Sequence, residues 1–290
     1  MNSKISQTVP RIVAYWTGYE SITKLKDLPF NPSVQEIPSY VQNIDVICLA
    51  FALIKNGTIQ YTCAADETCL CMGTQRNYWT QTEIKAWLKR VRNTYPKTRF
   101  VLSIGGWAYN DWSSIQSAEM FADKVVDRIK NDWSIQENGE TIYLVQGVDL
   151  DYETGDSTPL PSKVSFKDII QQIATKLSVE VDKETIVSLP YYDGSPWSPS
   201  ELTGLQDSIT FVSTMNYSDG LEDYNTLKNL GYRAVKGFSH SSQDTETVSS
   251  IIQNSGLTSA MYWNLSTLGE NASSSPPFKY INAMNDALSS

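Results

Sequence analysis

Eight consecutive residues, Gln146 to Glu153, read Q-G-V-D-L-D-Y-E. Asp149, Asp151 and Glu153 alternate with Val148, Leu150 and Tyr152. Side chains alternate between the two faces of a strand, so the three carboxylates share one face and the apolar residues the other. Three anions on one inward face repel each other, and burying them unpaired costs several kcal/mol. Stability alone does not call for such a strand; proton transfer or cation binding does. The competing reading is an edge strand with a solvated acidic face. Gly147 counts against it, because glycine is poor strand material unless something must approach the backbone closely.

Two reaction types use a face of carboxylates. In glycoside hydrolysis a carboxylic acid protonates the leaving oxygen while sugar rings stack on aromatic faces. In metal-assisted hydrolysis the carboxylates hold Mg²⁺ or Ca²⁺. The surroundings favour sugar chemistry. Tyr15 and Trp16, Trp107 and Tyr109, Tyr191 and Tyr192, Met215 to Tyr217, and Trp263 all fall at the ends of expected strands. Trp and Tyr are poor company for a hydrated cation. Further acidic candidates, Asp193 and Asp219, have no histidine near them, the only one being His240. The reading is therefore of a site without metal or cofactor.

The elements that must position these residues follow from hydrophobic periodicity. Strands are expected at Arg11–Trp16, Val46–Leu53, Arg99–Ile104, Leu144–Asp151, Ile186–Pro190, Ser208–Tyr217, Arg233–Phe238 and Ser259–Leu265. Helical stripes fall at Gln81–Tyr95, Ala118–Lys130, Lys163–Glu180, Asp223–Leu230, Asp244–Asn254 and Pro277–Leu288, with a short helix near Tyr40–Asn43. Eight strands alternating with helices, undivided by any linker, imply one α/β domain over residues 1–290. The fold expected is a (β/α)8 TIM barrel, whose strand ends converge on one mouth.

Composition bounds the partners. The formal net charge of −9 sets long-range repulsion against nucleic acid and anionic membranes but not against neutral or cationic ligands. No stretch approaches the length of a membrane span. The first residues, M-N-S-K-I-S-Q-T-V-P-R, lack the apolar core of a signal peptide. The expectation is retention inside the cell or export by a non-classical route. Cys48 sits in an apolar run and reads as core; Cys63, Cys69 and Cys71 crowd one loop as free thiols or a local disulfide.

G-V-D-L-D-Y-E resembles the D-G-x-D-x-D-x-E signature of glycoside hydrolase family 18, the chitinases and endo-β-N-acetylglucosaminidases. Ser103-Ile104-Gly105-Gly106 resembles that family's S-x-G-G, Met215-Asn216-Tyr217 its M-x-Y, Trp263 its eighth-strand Trp, and Val13-Ala14-Tyr15 its first strand. The resemblance implies retaining hydrolysis in which the substrate's own acetamide attacks the anomeric carbon, giving an oxazolinium ion. Glu153 would be the general acid, and Asp151 would bond the acetamide nitrogen and stabilise positive charge. Asp149, surrounded by Ser103 and Tyr15, would share a proton with Asp151. Tyr217 would hold the acetamide carbonyl and Trp263 would floor the sugar. Tyr15, Ser103, Gly106, Trp107, Met215 and Trp263 are the expected substrate-binding set.

The sequence departs from the family pattern at two positions. Gln146 replaces the first Asp, with an effect expected on pH dependence alone. Ser218 stands where Asp or Asn is usual, with Asp219 as a possible substitute. The segment Phe238–Ser259 has no room for the α+β domain that makes some family members' clefts tunnel-like, so an open groove and endo-type cutting are expected. The family also implies non-proline cis peptides at Ala50-Phe51 and Trp263-Asn264. The partner expected is an oligo- or polysaccharide containing N-acetylglucosamine: chitin, or the chitobiose core of N-glycans. A chitinase-like lectin is the non-catalytic alternative.

Overall fold

The computed structural model describes residues 5–17, 36–60, 81–107, 110–153, 155, 157–182, 184–265 and 277–290. Eight parallel strands close on themselves. They are β1 (Ile12–Trp16), β2 (Val46–Lys55), β4 (Arg99–Gly105), β7 (Gly147–Asp151), β8 (Ile186–Tyr191), β9 (Phe211–Thr214), β10 (Ala234–Ser239) and β11 (Ala260–Trp263). Each pairs with the next, and β1 joins both β2 and β11 to complete the ring. This is the expected (β/α)8 barrel. Three short antiparallel strands add to it: β3 (Thr58–Gln60), paired with the end of β2, and the hairpin β5 (Ser134–Glu137) and β6 (Glu140–Tyr143).

The period of two along each strand sorts side chains into two cores. Val13, Tyr15, Cys48, Val101, Phe211, Val235 and Met261 fill the barrel interior. Ile12, Ala14, Trp16, Phe100, Leu102, Val148 and Leu150 face outward into the layer beneath the helices. That layer receives the apolar stripes of α1 (Gln81–Thr94), α2 (Ala118–Asp132), α3 (Phe166–Glu180), α4 (Glu222–Asn229), α5 (Thr245–Ser255) and α6 (Pro277–Ser289). Helix starts are set locally. Ser117, Ser165 and Asp244 accept hydrogen bonds from backbone N–H groups three residues on, and α5 stops at Gly256 with φ +60°. Short 3₁₀ turns, Ser39–Asn43 and Gln206–Ser208, occupy the connections after β1 and β8.

The strand carrying the acids is shorter than its sequence suggests. Leu144 to Gln146 lie outside β7, with Leu144 N bonded to Trp133 O and Gln146 N to Phe100 O. Gly147 opens the strand because a Cβ there would sit 2.0 Å from Ile186 O on β8. The close backbone approach inferred from its identity is thus found. Likewise β9 spans only Phe211–Thr214, leaving Met215–Tyr217 beyond its end. Between β10 and β11 lies α5 alone, with no inserted domain. Both expected cis peptides, Ala50-Phe51 and Trp263-Asn264, are present. Cys48 is free and buried; Cys63, Cys69, Cys71 and Tyr109 lie outside the described residues. No helix among the described residues is long and apolar enough to cross a membrane.

Candidate active site

At the C-terminal mouth lies a cleft of about 450 Å³ lined by Phe51, Trp107, Asp151, Glu153, Tyr192, Asp193, Met215, Asn216, Tyr217 and Trp263. Glu153 and Trp263, far apart in sequence, thus share one cavity. Trp263 packs at 5.4 Å from Tyr15 and 5.9 Å from Phe51, ring centre to ring centre, which fixes its indole as one wall. Trp107 is 54% exposed, an apolar surface open to a ligand.

The three carboxylates form a graded series along β7 and just past its end. Asp149 is fully buried inside the barrel and accepts three hydroxyl bonds. Tyr15 OH at 2.9 Å and Ser103 Oγ at 2.7 Å donate to its Oδ2, and Ser188 Oγ at 2.7 Å to its Oδ1. Desolvation nonetheless raises its pKa to about 6. Asp151, also buried, is pushed well above the usual carboxylate range by desolvation first, then by the charges of Glu153 and Asp149. Glu153, nearer the cleft, rises to about 7, mainly through desolvation. A hydrogen bond joins Asp151 and Glu153, so the pair shares a proton.

The hydrogen bond of Asp151 runs to Glu153, while three hydroxyls hold Asp149. Among the described residues, Asp151 Oδ1 is buried with no hydrogen-bond partner.

Of the expected substrate-binding residues, Trp107, Met215 and Trp263 line the cleft, and Tyr15, Ser103 and Gly106 do not. Tyr15 and Ser103 are buried one layer down, holding Asp149. Gly106 is buried with φ +88°; it donates its N–H to Asp151 O at 2.8 Å, and a Cβ there would press on the Phe51 ring at 3.1 Å. It shapes the floor from beneath. Trp16 and Tyr191 also leave the cleft, packing outward on Trp87 and Trp197 at 5.5 and 5.2 Å. Tyr217 lines the cleft, and its hydroxyl is raised well above its ordinary value by desolvation and then by Asp151, Glu153 and Asp149. The hydroxyl is therefore within electrostatic reach of the acids.

The two departures from the family pattern have structural accounts. Gln146 lies at the opposite end of β7, and its amide accepts from Phe100 N at 3.0 Å and donates to Tyr143 O at 2.8 Å and Leu144 O at 3.1 Å. It is a neutral backbone tie that the barrel separates from the titrating acids. Asp219 does not replace a residue at 218 in the cleft; its Oδ1 accepts from Gln243 Nε2 at 3.3 Å. Four cleft residues, Phe51, Tyr192, Asp193 and Asn216, stood outside the expected set, as did Ser188 beneath it. Tyr192 and Asp193 follow a strand end, the signal that marks Tyr192 in the sequence without giving it a role at the site.

Ser188→Ala tests the role of the hydroxyls. The folded pKa of Asp149 is raised, so the fold loses stability as pH climbs through about 6, and each hydroxyl limits that loss. The variant should unfold about 1–2 kcal/mol more easily than the parent at pH 8, with a much smaller gap at pH 4. Urea titrations at the two pH values measure this, and an equal gap at both would remove the charge from the explanation.

The fold and site define a closed parallel barrel with carboxylates and aromatic walls at its mouth. The chain belongs to the glycosyl hydrolases family 18, whose family model matches residues 11–267. Among curated proteins none matches the sequence. Solved structures do. Chitinase ChiW from Paenibacillus sp. str. FPU-7 superposes with a TM-score of 0.66 at 14% identity over 97% of this chain, which spans only 43% of that multi-modular enzyme. The catalytic domain of psychrophilic chitinase B from Arthrobacter TAD20 gives 0.64 at 14% identity, over 99% of this chain and 97% of the other. Human YKL-39, described as a pseudo-chitinase that retains chitooligosaccharide binding, gives 0.62 at 11% identity over 97% and 100%.

Proposed function

We propose that residues 1–290 form a single catalytic domain that hydrolyses β-1,4 linkages between N-acetylglucosamine units, with the substrate's acetamide as nucleophile. The observation that carries this is Asp151 bonded to a Glu153 whose pKa sits near 7, both lining one aromatic-walled cleft. An acetamide N–H is a fitting donor to Asp151. No second carboxylate is needed as nucleophile, because the acetamide oxygen supplies the attack.

The residue positions support the following steps. Glu153 gives its proton to the glycosidic oxygen, and the C1–O bond breaks as the acetamide oxygen bonds to C1. The leaving sugar departs with a new hydroxyl. Asp151 faces the positive oxazolinium, Tyr217 holds the acetamide oxygen, and Trp263 supports the ring face. Water, deprotonated by Glu153, opens the oxazolinium at C1 with net retention. The β10–β11 connection holds α5 and no inserted domain, which favours an open groove and cutting within chains.

Carbohydrate binding without turnover is the second reading, supported by the likeness to YKL-39. The intact trio Asp149, Asp151 and Glu153 ranks it below catalysis. Chitotetraose and a high-mannose glycopeptide, incubated separately and followed by mass spectrometry, separate the cases. Shorter chitooligosaccharides support the proposal, and glycopeptide cleavage alone would move the substrate to N-glycans. Calorimetric binding with no product over days would replace the enzyme with a lectin.

A further inference from the structure

Among the described residues three charged side chains are almost wholly buried: Asp149, Asp151 and Lys236. The first two belong to the cleft. Lys236 does not, and it lies on β10 between Ala234 and Phe238, which face the apolar layer beneath the helices. A lysine in such a layer costs stability unless its ammonium is well bonded. Its Nζ donates to Asn216 O at 2.7 Å and Ser218 O at 2.9 Å, the carbonyls on either side of Tyr217. The carbonyl of Tyr217 itself accepts from Gln243 Nε2. Three successive carbonyls are therefore held by two side chains from β10 and the turn after it.

The need for such a clasp comes from the short β9. The strand ends at Thr214, and Met215 N, bonded to Tyr191 O at 2.7 Å, is the last ladder-like contact. Asn216, Tyr217 and Ser218 have left the sheet, yet Tyr217 must present its hydroxyl to the acids. Burial lowers the Lys236 pKa to about 8, opposed by Asp223, Asp219 and Glu222, so it remains charged at neutral pH. Asp223 also bonds the Asn216 side chain, whose Oδ1 accepts from Ser218 N at 3.2 Å. The acids on this side of the mouth thus read as counter-charges to Lys236.

We propose that Lys236 is a positioning residue for catalysis, fixing Tyr217 by clasping the carbonyls of its two neighbours. This rests on the glycosidase reading above and extends it to a residue that does not touch the cleft. A displacement of about 1 Å at a substrate-positioning group can cost up to about 100-fold in rate. Lys236→Met should therefore lower kcat on labelled chitotetraose about 10- to 100-fold, with KM changed by less than about threefold.

A double-mutant cycle with Tyr217→Phe separates positioning from general damage. In the Tyr217→Phe background, Lys236→Met should cost less than about threefold more, because the group it serves is already gone. A kcat within about twofold of the parent, or losses that multiply, would overturn the proposal. Should Lys236→Met fail to fold, Lys236→Gln, too short to reach both carbonyls, enters the same cycle with the same criteria. If the parent protein shows no turnover, the glycosidase reading fails by itself. Crystal structures of the parent and Lys236→Met then decide: a shifted Tyr217 ring supports the clasp, an unmoved one refutes it.

Discussion

Glu153→Gln is expected to lower kcat on chitooligosaccharides by about 10³–10⁴-fold, the range for a positioned general acid, and at the same time to stabilise the fold above neutral pH. The two effects share one cause. Desolvation lifts the Glu153 pKa to about 7, which keeps a proton available at neutral pH. It also means the folded state resists ionising this group. A carboxyl whose folded pKa is raised contributes fully below its unfolded value near 4.5, and that contribution is lost as pH rises through about 7. Glutamine never ionises, so the variant escapes the loss. Allowing for partial exposure and coupling to Asp151, the gain should reach about 2 kcal/mol at pH 8 and vanish near pH 4.5. Parallel kinetics and denaturant titrations measure both. An inactive variant that is also less stable at pH 8 would indicate damage to the fold and leave the acid role without support. The parent's kcat/KM should fall as pH rises through about 7, where the free enzyme loses this proton.

Much of this arrangement is legible in the sequence because periodicity encodes it. Alternation along Gly147 to Glu153 sends Asp149 and Asp151 inward and Val148 and Leu150 outward, and both placements are found. The eight strand–helix units follow from the same signal, as does the closed ring they form. What periodicity does not carry is height along the barrel. Whether an inward residue reaches the mouth or stays a layer down depends on the register of neighbouring strands. Ser103 pairs with Asp149, and Asp149 with Ser188. Tyr15 and Ser103 therefore bond the buried acid a layer below the cleft, and Ser188, with no motif around it, escapes notice.

Local chemistry explains the remaining differences. The β5–β6 hairpin turns at Asn138 and Gly139, both with positive φ, at 52° and 82°. That Asn-Gly pair is itself a hairpin signature, but a scan for barrel units passes over it. The ends of β7 and β9 depend on contacts made by residues distant in sequence. Lys236 is the extreme case: V-K-G within an apolar run reads as a solvated lysine on a strand, and only the fold reveals the carbonyls that hold it.

Asp151 is where the proposed chemistry and the electrostatics can be separated, by comparing two substitutions. Asp151→Asn keeps a donor toward Glu153 but can no longer present a negative charge to the oxazolinium. It should lower kcat about 10²–10³-fold, the usual cost of losing one charge-stabilising group. The alkaline limb of the pH profile should remain near 7, since the bond that lowers the Glu153 pKa survives. Asp151→Ala removes that bond as well. With the lowering contact gone, desolvation and Asp149 act alone on Glu153, so its pKa must rise. The alanine variant should be at least as impaired as the asparagine one, with its alkaline limb displaced upward, measurable as log kcat/KM between pH 5 and 9 on chitotetraose. If the limb stays in place in Asp151→Ala, the two side chains do not share a proton in the free enzyme, and Asp149 regains its place as the partner of Asp151. If Asp151→Asn retains near-parental kcat, the positive intermediate has no need of this carboxylate, and the acetamide has lost its reason to be the nucleophile.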